Sequence, residues 1–412
     1  MKSLFESITW FLKIYLLYLI LGVVIAFEIR EHGSTGYLGK SIAWPVKTSE
    51  RIVDRILTKG ISHFFDNDKL VQRGENEFNH LKEDLFVLHV NSNNRPVAEI
   101  VNLRNSERVK LFDIPISFES TLVNQYYMFA ADTINRYIYL TPHGGNELLK
   151  FNYSGDLIGT FIYDFQFVRR TAVYNGRIFC TISRESTLKS ELGSIKNDGF
   201  VEINEFGEIV QEFYLADHLD EFNRLVNINQ LAGKFFESDD PFHLNDVELV
   251  TGIPQCINNT LRNDDVLLSS RHLSAVVQVR ENKIIRVITG SFNLQHDVDV
   301  IGPNEISISN NNSAGHYVNI SDIYSNVIHY DLLTNTEKVL HDSIGFSTET
   351  EGQVQYLESG RIIIENTNKN EFLVVRNDSL VFKGGIKNVD QPRYNEWLTW
   401  CPAFDYNPFK NN

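Results

Sequence analysis

The chain has 412 residues, of which 38 are lysine or arginine and 53 are aspartate or glutamate, so its net charge is −15. Nucleic-acid-binding proteins neutralise phosphates with clustered lysine and arginine, and this charge balance argues against that class. Hydrophobic residues at 42% and charged residues at 22% are typical of a globular protein. They exclude a chain that is disordered throughout and a polytopic membrane protein.

The first predicted element is a membrane span at residues 10–27, an apolar run interrupted only by Lys13. Its length is close to what a bilayer requires, and the long stem of a lysine near a helix end can reach the headgroups. Positive residues lie on its N-terminal side, so we expect residues 1–9 in the cytoplasm and the rest of the chain exported, in the periplasm or outside the cell. A cleaved signal peptide is the alternative, because the small residues Val24 and Ala26 end the apolar run.

Residues 28–81 read as a linker that contains a short helical stalk. Apolar residues at Ile52, Val53, Ile56 and Leu57 form the i, i+1, i+4, i+5 stripe of an amphipathic helix. This stripe predicts packing against the following domain or the membrane surface.

From Leu85 onward, short apolar runs alternate with clusters of Gly, Asn, Asp and Ser, which is typical of many short strands. A strand, a polar turn and a second strand recur six times, at separations of roughly 45 to 75 residues. The copies begin at Val87, Leu148, Phe200, Ala275, Val327 and Phe372.

A second strand pair precedes several copies, as in RTAVYNGRIFCTIS and HDVDVIGPNEISISN. A full unit therefore holds about four strands, which is one propeller blade. Six such units predict an all-β protein with a single six-bladed β-propeller domain at residues 82–412, each blade burying its faces against its neighbours.

Polar residues recur where the first strand of a blade begins. In a propeller this strand runs along the central channel, so its first residue lies at one mouth of the channel. The corresponding positions hold Arg169 and Arg170, then His243, then His296, while Arg271 ends the strand that follows His243. Closure of the ring predicts that these side chains converge.

Each of the two histidines is followed within three residues by aspartate, Asp246 after His243 and Asp297 after His296. A carboxylate beside an imidazole fixes its tautomer and raises its basicity, which suits a nucleophile or a base. Arginine offers a planar fork for an oxyanion. The set therefore indicates transfer of an anionic group through histidine, and the alternative is that both histidines are ordinary polar residues at strand starts.

At these residues the chain resembles the arylsulfate sulfotransferases, which are exported six-bladed propellers. The similar motifs are His-x-Asn-Asp at His243, Leu-x-Ser-Ser-Arg-His around Arg271 and Gln-His-Asp around His296. The unit from Tyr139 and the last-blade segment EGQVQYLESGRIII add to the resemblance, which covers roughly residues 130–385.

The resemblance implies an enzyme that moves a sulfuryl group from an aryl sulfate ester to a phenol without a nucleotide donor or any cofactor. It implies that His296 is transiently sulfated, that Arg271 holds the sulfate oxygens and that His243 contacts the transferring group. Asn245 occupies the place of an asparagine that often follows that histidine. Family members carry a further histidine in an earlier blade, where this chain has Arg169-Arg170-Thr171.

A second hypothesis stays open, namely a non-catalytic propeller that binds an anionic ligand or a protein partner at the channel mouth. It needs only Arg169, Arg170 and Arg271 as anion contacts. His143 is expected to serve a turn between strands, and strand alternation predicts that His272 points away from Arg271.

Three widely spaced cysteines, Cys180, Cys256 and Cys401, form no C-x-x-C pair, which excludes zinc ribbons and thioredoxin-like motifs. One disulfide among the three remains open.

Overall fold

The computed structural model divides into two compact units, Met1–Lys69 and Leu70–Asn412, and every residue described here lies in the second. The predicted cytoplasmic tail, the predicted span at 10–27 and most of the predicted stalk lie outside the described residues. Within the described part of the chain, no helix is long and apolar enough to cross a membrane. The described residues are 71–72, 77–91, 96–115, 127–190, 193–225, 240–254, 259–312, 325–340, 344–348, 351–387, 394–395, 398 and 401–410.

Short antiparallel strands make up nearly all of this unit. The strands before residue 215 are β1 (Val71–Gln72), β2 (Phe78–Asn79), β3 (Phe86–Asn91), β4 (Val97–Asn102), β5 (Arg108–Asp113), β6 (Tyr127–Asp132), β7 (Tyr137–Pro142), β8 (Glu147–Asn152), β9 (Leu157–Ile162), β10 (Gln166–Tyr174), β11 (Arg177–Ser190), β12 (Gly193–Ile203) and β13 (Ile209–Tyr214). A 3₁₀ turn at Leu215–His218 and the helix α1 (Leu219–Leu225) follow.

The second half continues the pattern, with one further 3₁₀ turn at Thr367–Lys369. Its strands are β14 (Leu244–Leu249), β15 (Val266–Ser270), β16 (Ala275–Arg280), β17 (Lys283–Ile288), β18 (Asp297–Gly302), β19 (Glu305–Asn310), β20 (Asn326–Asp331), β21 (Thr336–Leu340), β22 (Val354–Tyr356), β23 (Arg361–Asn366), β24 (Glu371–Arg376), β25 (Ser379–Gly384), β26 (Tyr394–Asn395) and β27 (Ala403–Phe404).

Apart from β1 and β26, which pair with each other in a two-stranded sheet, these strands form the predicted six-bladed propeller. Four blades are consecutive sheets, β6 to β9, β10 to β13, β14 to β17 and β18 to β21, and a fifth, β22 to β25, gains β2 at its outer edge. The first strands of neighbouring blades contact one another, while the last strands are the most exposed. The first strand of each of these blades therefore lines the channel, as the sequence predicts.

The remaining blade closes the ring by joining the two ends of the domain. Its inner strand is β27, and β3, β4 and β5 follow outward. The first sequence copy, at Val87, therefore covers the second and third strands of its blade, whereas the other five cover the third and fourth. Strand β2, which lies in the segment predicted as stalk, pairs with β25.

The core is divided among the interfaces between blades. Both faces of each blade are covered, so a strand buries successive residues in opposite directions. In β15, Val266 and Leu268 pack toward the blade before, while Leu267 packs toward the blade after. Six buried clusters of this kind occur among the described residues, one at each blade interface. Cys180 and Cys401 are buried and form no disulfide, and Cys256 lies outside the described residues.

Carboxylates add polar links between blades close to the channel mouth. Each accepts a hydrogen bond from a backbone N–H of the next blade, which satisfies a buried donor. The pairs are Asp198 with Leu244 at 2.9 Å, Asp246 with Val298 at 3.1 Å, Asp297 with Val354 at 2.7 Å and Glu365 with Cys401 at 3.0 Å.

Candidate active site

Arg169 reaches the mouth through an irregularity in its strand. The pairing of β10 with β11 shifts between Phe167 and Thr171, and Arg169 has φ of +42°. Arg169 and Arg170 therefore lie inside β10, although the sequence places them at its start. The bulge directs the Arg169 guanidinium into the next blade, where Nη2 lies 3.1 Å from Asp240 Oδ2 and 3.0 Å from His243 Nδ1.

Asp240, which the sequence analysis does not single out, organises this side of the mouth. Its Oδ2 lies 2.8 Å from His243 Nδ1, its Oδ1 accepts the His243 backbone N–H, and its carbonyl accepts a hydrogen bond from His272 Nδ1 at 2.7 Å. Burial would raise the pKa of Asp240, but the hydrogen bond from His243 and the charge of Arg169 hold it well below its ordinary value. The only sequence signal is an acid three residues before His243.

His243 lies directly before β14, as predicted, and is neutral. The Asp240 carboxylate can only accept, so we assign the ring proton to Nδ1, which donates it to Asp240. Arg169 can only donate, so its hydrogen bond goes to the same carboxylate and not to the protonated Nδ1. The lone pair of the ring then lies on Nε2. Burial and the charge of Arg169 lower the pKa of His243 well below its usual value.

Arg271 and His272 form a second pair at this mouth. His272 stacks on His243 with ring centroids 4.4 Å apart, and its Nε2 lies 3.2 Å from Arg271 Nη1. The expectation that His272 points away from Arg271 is wrong, because both residues follow β15 in a turn where strand alternation does not hold.

Arg271 has no counter-ion in the part of the chain that the structure describes. No carboxylate among the described residues lies within ion-pair distance of its guanidinium, whereas Arg169 lies within that distance of Asp198 and Asp240, and Arg170 of Asp246. Its Nε is buried without a hydrogen-bond partner in that same set. Burial, then the charge of Arg169, lowers the pKa of Arg271 to about 10, so it stays charged near neutral pH. A half-buried guanidinium with no counter-ion among the described residues is the arrangement expected of an anion site.

His296 lies directly before β18 and is 3% exposed. Its Nδ1 lies 2.8 Å from Asn311 Oδ1, and its Nε2 accepts the Glu351 backbone N–H at 2.9 Å. Burial, followed by the charge of Arg271, lowers the pKa of His296 well below its ordinary value. The ring is therefore neutral, with its proton on Nδ1 and its lone pair on Nε2.

The segment that caps His296 has an unusual backbone. Glu351 has φ of +79°, which is rare for a residue other than glycine. Gly352 follows with φ of +105°, and a Cβ there would lie 2.8 Å from the Glu365 carbonyl oxygen. This left-handed turn is what directs the Glu351 N–H at the imidazole.

The aspartates that follow the histidines do not touch the imidazoles, contrary to the prediction. Asp246 and Asp297 bind backbone N–H groups of the next blade instead, because alternation along β14 and β18 turns them away from the mouth. The imidazole partners are Asp240 for His243 and Asn311 for His296, both contributed by loops.

The other two residues predicted to bind substrate, Arg170 and Asn245, bind groups of the protein instead. Arg170 pairs with Asp246, Nε to Oδ1 at 3.1 Å, and donates to Gln353 Oε1 at 2.9 Å. Asn245 is fully buried, and its amide donates to the Gln295 carbonyl at 3.3 Å. Both side chains therefore link protein groups next to the channel mouth.

His143 lies in the turn after β7, as expected, but its side chain also belongs to this mouth. Its Nδ1 lies 3.5 Å from the Arg169 backbone N–H. Burial, and then the charge of Arg169, lowers the pKa of His143 to about 4, so it is neutral at ordinary pH. An earlier blade thus contributes a histidine, although from a turn and not from a strand start.

The family model of the arylsulfotransferases (ASST) matches residues 177–383, half of the chain. The chain belongs to the arylsulfotransferase family. Within this family member, the matched segment contains His243, Arg271 and His296, whereas Arg169 and His143 precede it. No curated protein matches the chain. No group of three or more His, Cys, Asp or Glu side chains among the described residues is arranged to hold a metal ion.

Solved structures similar to this arylsulfotransferase family member include other propellers at low identity. A protein of unknown function from Bacteroides caccae has a TM-score of 0.47 and 11% identity, covering 73% of this chain and 93% of its own. The WD40 propeller domain of Doa1 has a TM-score of 0.43 and 11% identity, covering 76% of this chain and 85% of its own. Virginiamycin B lyase from Staphylococcus aureus has a TM-score of 0.41 and 9% identity, covering 76% of this chain and 88% of its own.

Proposed function

We propose that this protein transfers a sulfuryl group from an aryl sulfate ester to a phenol, through His296 as the transiently sulfated residue. The observation that carries the proposal is a His296 ring whose two hydrogen bonds leave the lone pair on Nε2, together with Arg271, which has no carboxylate partner among the described residues and whose charge helps to lower the pKa of His296. The cation would hold sulfate oxygens while the neutral imidazole supplies the nucleophile.

In the first step, the lone pair of His296 Nε2 attacks sulfur, the N–S bond forms, and the bond from sulfur to the aryl oxygen breaks. The aryl oxygen leaves as a phenolate. Because the Glu351 N–H occupies this lone pair in the structure, that hydrogen bond has to be given up as the N–S bond forms.

In the second step, an acceptor phenol oxygen attacks sulfur, the N–S bond breaks and the phenol proton passes to a base. His243 is the proposed base, because its neutral ring keeps a lone pair on Nε2 and Asp240 stabilises the imidazolium that forms. Arg169 completes the cationic side of the site.

The deciding experiment is intact-mass spectrometry of the full chain after mixing with 4-nitrophenyl sulfate, with nitrophenolate release followed in parallel. We expect a gain of about 80 Da that maps to His296, together with a burst of nitrophenolate. His296→Asn should abolish both, whereas His80→Asn, at an exposed histidine outside the site, should leave both intact. Labelling of the His296→Asn variant would contradict the assignment.

The alternative function is anion binding without transfer. The observation that favours it is the capped state of His296, whose attacking lone pair is already hydrogen-bonded. A binder needs only Arg169 and Arg271, so it would retain anion affinity in the His296→Asn variant and form no adduct in the wild type. The same mass experiment separates the two functions.

We also propose that the propeller works outside the cytoplasm, held by the span at residues 10–27. The support is the apolar run together with Lys2 before it and Lys13 near its N-terminal end. Protease protection of the full chain in sealed inverted membrane vesicles tests this, since cleavage of the propeller from the cytoplasmic side would contradict it.

A further inference from the structure

Asn311, which directly follows β19, is buried and binds His296 and its capping segment at the same time. Its Oδ1 lies 2.8 Å from His296 Nδ1, and its Nδ2 donates to the carbonyls of Thr348 at 3.0 Å and Glu351 at 2.8 Å. The two carbonyls can only accept, so they fix which end of the amide carries the hydrogens. The oxygen must therefore face His296, and Nδ1 must carry the ring proton.

The other ring nitrogen leads to the same tautomer independently. The Glu351 backbone N–H is an obligatory donor, and it points at Nε2 at 2.9 Å. A ring protonated at Nε2 would place two hydrogens against each other there. Both contacts therefore agree on a neutral ring with its lone pair on Nε2.

We propose that Asn311 is the positioning residue for His296: it holds the tautomer in which Nε2 is the nucleophile and keeps that tautomer when Glu351 moves away. This inference rests on the proposed function for its purpose, since the tautomer matters only if Nε2 attacks sulfur. Asn311 itself touches no reacting atom. It acts through the ring and through the carbonyl of Glu351.

The choice of an amide over a carboxylate follows from charge. Aspartate at this position would accept from Nδ1 but would also stabilise the imidazolium, which has no lone pair to attack with. It could not donate to the carbonyls of Thr348 and Glu351. Asparagine gives the orientation without the charge, so it does not favour the imidazolium.

Three variants of the full chain test this inference. Asn311→Asp keeps the acceptor and adds a charge, and Asn311→Leu removes the acceptor. Asn310→Asp is the matched control, because Asn310 is an equally buried neighbour whose side chain binds Asn293, Asn312 and Asn326 and not His296.

The first readout is the tautomer and titration of the His296 ring by ¹⁵N NMR, with its signals assigned from the His296→Asn spectrum. The wild-type ring should carry its proton on Nδ1 and stay neutral at neutral pH. Asn311→Asp should form the imidazolium at a higher pH than the wild type, and Asn310→Asp should titrate like the wild type. A wild-type ring protonated at Nε2, or equal titration in both aspartate variants, would overturn the inference.

The second readout is the rate of sulfation against pH. Asn311→Asp should be at least about 10-fold slower near neutrality and recover as the pH rises, because deprotonation restores the nucleophile. Asn311→Leu should be slower by about 100-fold at every pH, without recovery. An Asn311→Asp profile that parallels the wild type at a constant ratio would overturn the inference. The NMR readout does not depend on turnover, so the expected tautomer in a wild type that never becomes sulfated would reject the proposed function and leave the positioning intact.

Discussion

Replacement of Arg271 by methionine should stabilise the folded protein while it removes anion binding. The guanidinium has no carboxylate within ion-pair distance among the described residues, and burial, followed by the charge of Arg169, lowers its pKa well below the ordinary arginine value, to about 10. A change of that size corresponds to about 3 kcal/mol against the charged form. Solvent at the mouth screens part of this, so we expect Arg271→Met to raise the free energy of unfolding by about 1 to 2 kcal/mol.

Arg280 provides a matched control of opposite sign. Its guanidinium binds Asp265 twice, Nε to Oδ1 at 2.6 Å and Nη2 to Oδ2 at 2.7 Å, and Asp265 is fully buried. Removing the arginine leaves that carboxylate without its counter-charge. Arg280→Met should therefore lower the free energy of unfolding by about 3 kcal/mol or more.

The assay is urea unfolding with and without sodium sulfate. Sulfate stabilises most proteins by exclusion from their surface, so the informative quantity is the difference in response between wild type and variant. A bound anion adds RT ln(1 + [L]/Kd) to the stability of the wild type, and this term should be absent in Arg271→Met. The reasoning fails if Arg271→Met is destabilised as much as Arg280→Met, or if both forms respond equally to sulfate.

Three further predictions concern the pH dependence of sulfation, the Asp240 carboxylate and the packing of glycines in the blades. Because burial and Arg271 lower the pKa of His296, the rate of sulfation should stay level as pH falls from 7 to roughly 5.5, and a loss centred near 6.5 would contradict this. In steady-state kinetics, Asp240→Asn should lower KM for the aryl sulfate by removing a negative charge, and lower kcat about 10-fold or more. Thermal unfolding should show Gly199→Ala losing about 2 kcal/mol, since its Cβ would clash with the backbone of β13, and Gly302→Ala losing little.

The fold was largely predictable because each blade repeats one pattern. Apolar runs bounded by turn residues predict the strands, and the number of times the pattern recurs predicts the number of blades. The first copy is offset by one strand from the other five, a difference that the repeat does not predict, because the inner strand of its blade is Ala403–Phe404 from the far end of the sequence. Nothing local at Val87 indicates a partner more than three hundred residues away.

The sequence predicts the positions of site residues that lie at strand ends, but not the positions of those that lie in loops. Ring closure alone predicts that His243 and His296 face the mouth, because both positions are fixed by the blade repeat. Their partners, Asp240 and Asn311, come from segments outside the strands, where no periodicity constrains a side chain. His272 was misplaced for the same reason, since alternation applies only while the strand lasts.

The channel mouth tolerates strained backbones and an arginine without an ion pair among the described residues, because hydrogen bonds join neighbouring blades close by. Arg169 and Glu351 have left-handed backbones, and Arg271 has no counter-ion among the residues that the structure describes; each of these features costs stability. Close by, carboxylates such as Asp246 and Asp297 bind the next blade's backbone, and apolar clusters fill every blade interface. The two aspartates that follow the histidines in sequence therefore link neighbouring blades and do not orient the imidazoles. They keep the blades in register, and the register fixes where the loops that carry Arg271 and His296 meet the channel mouth.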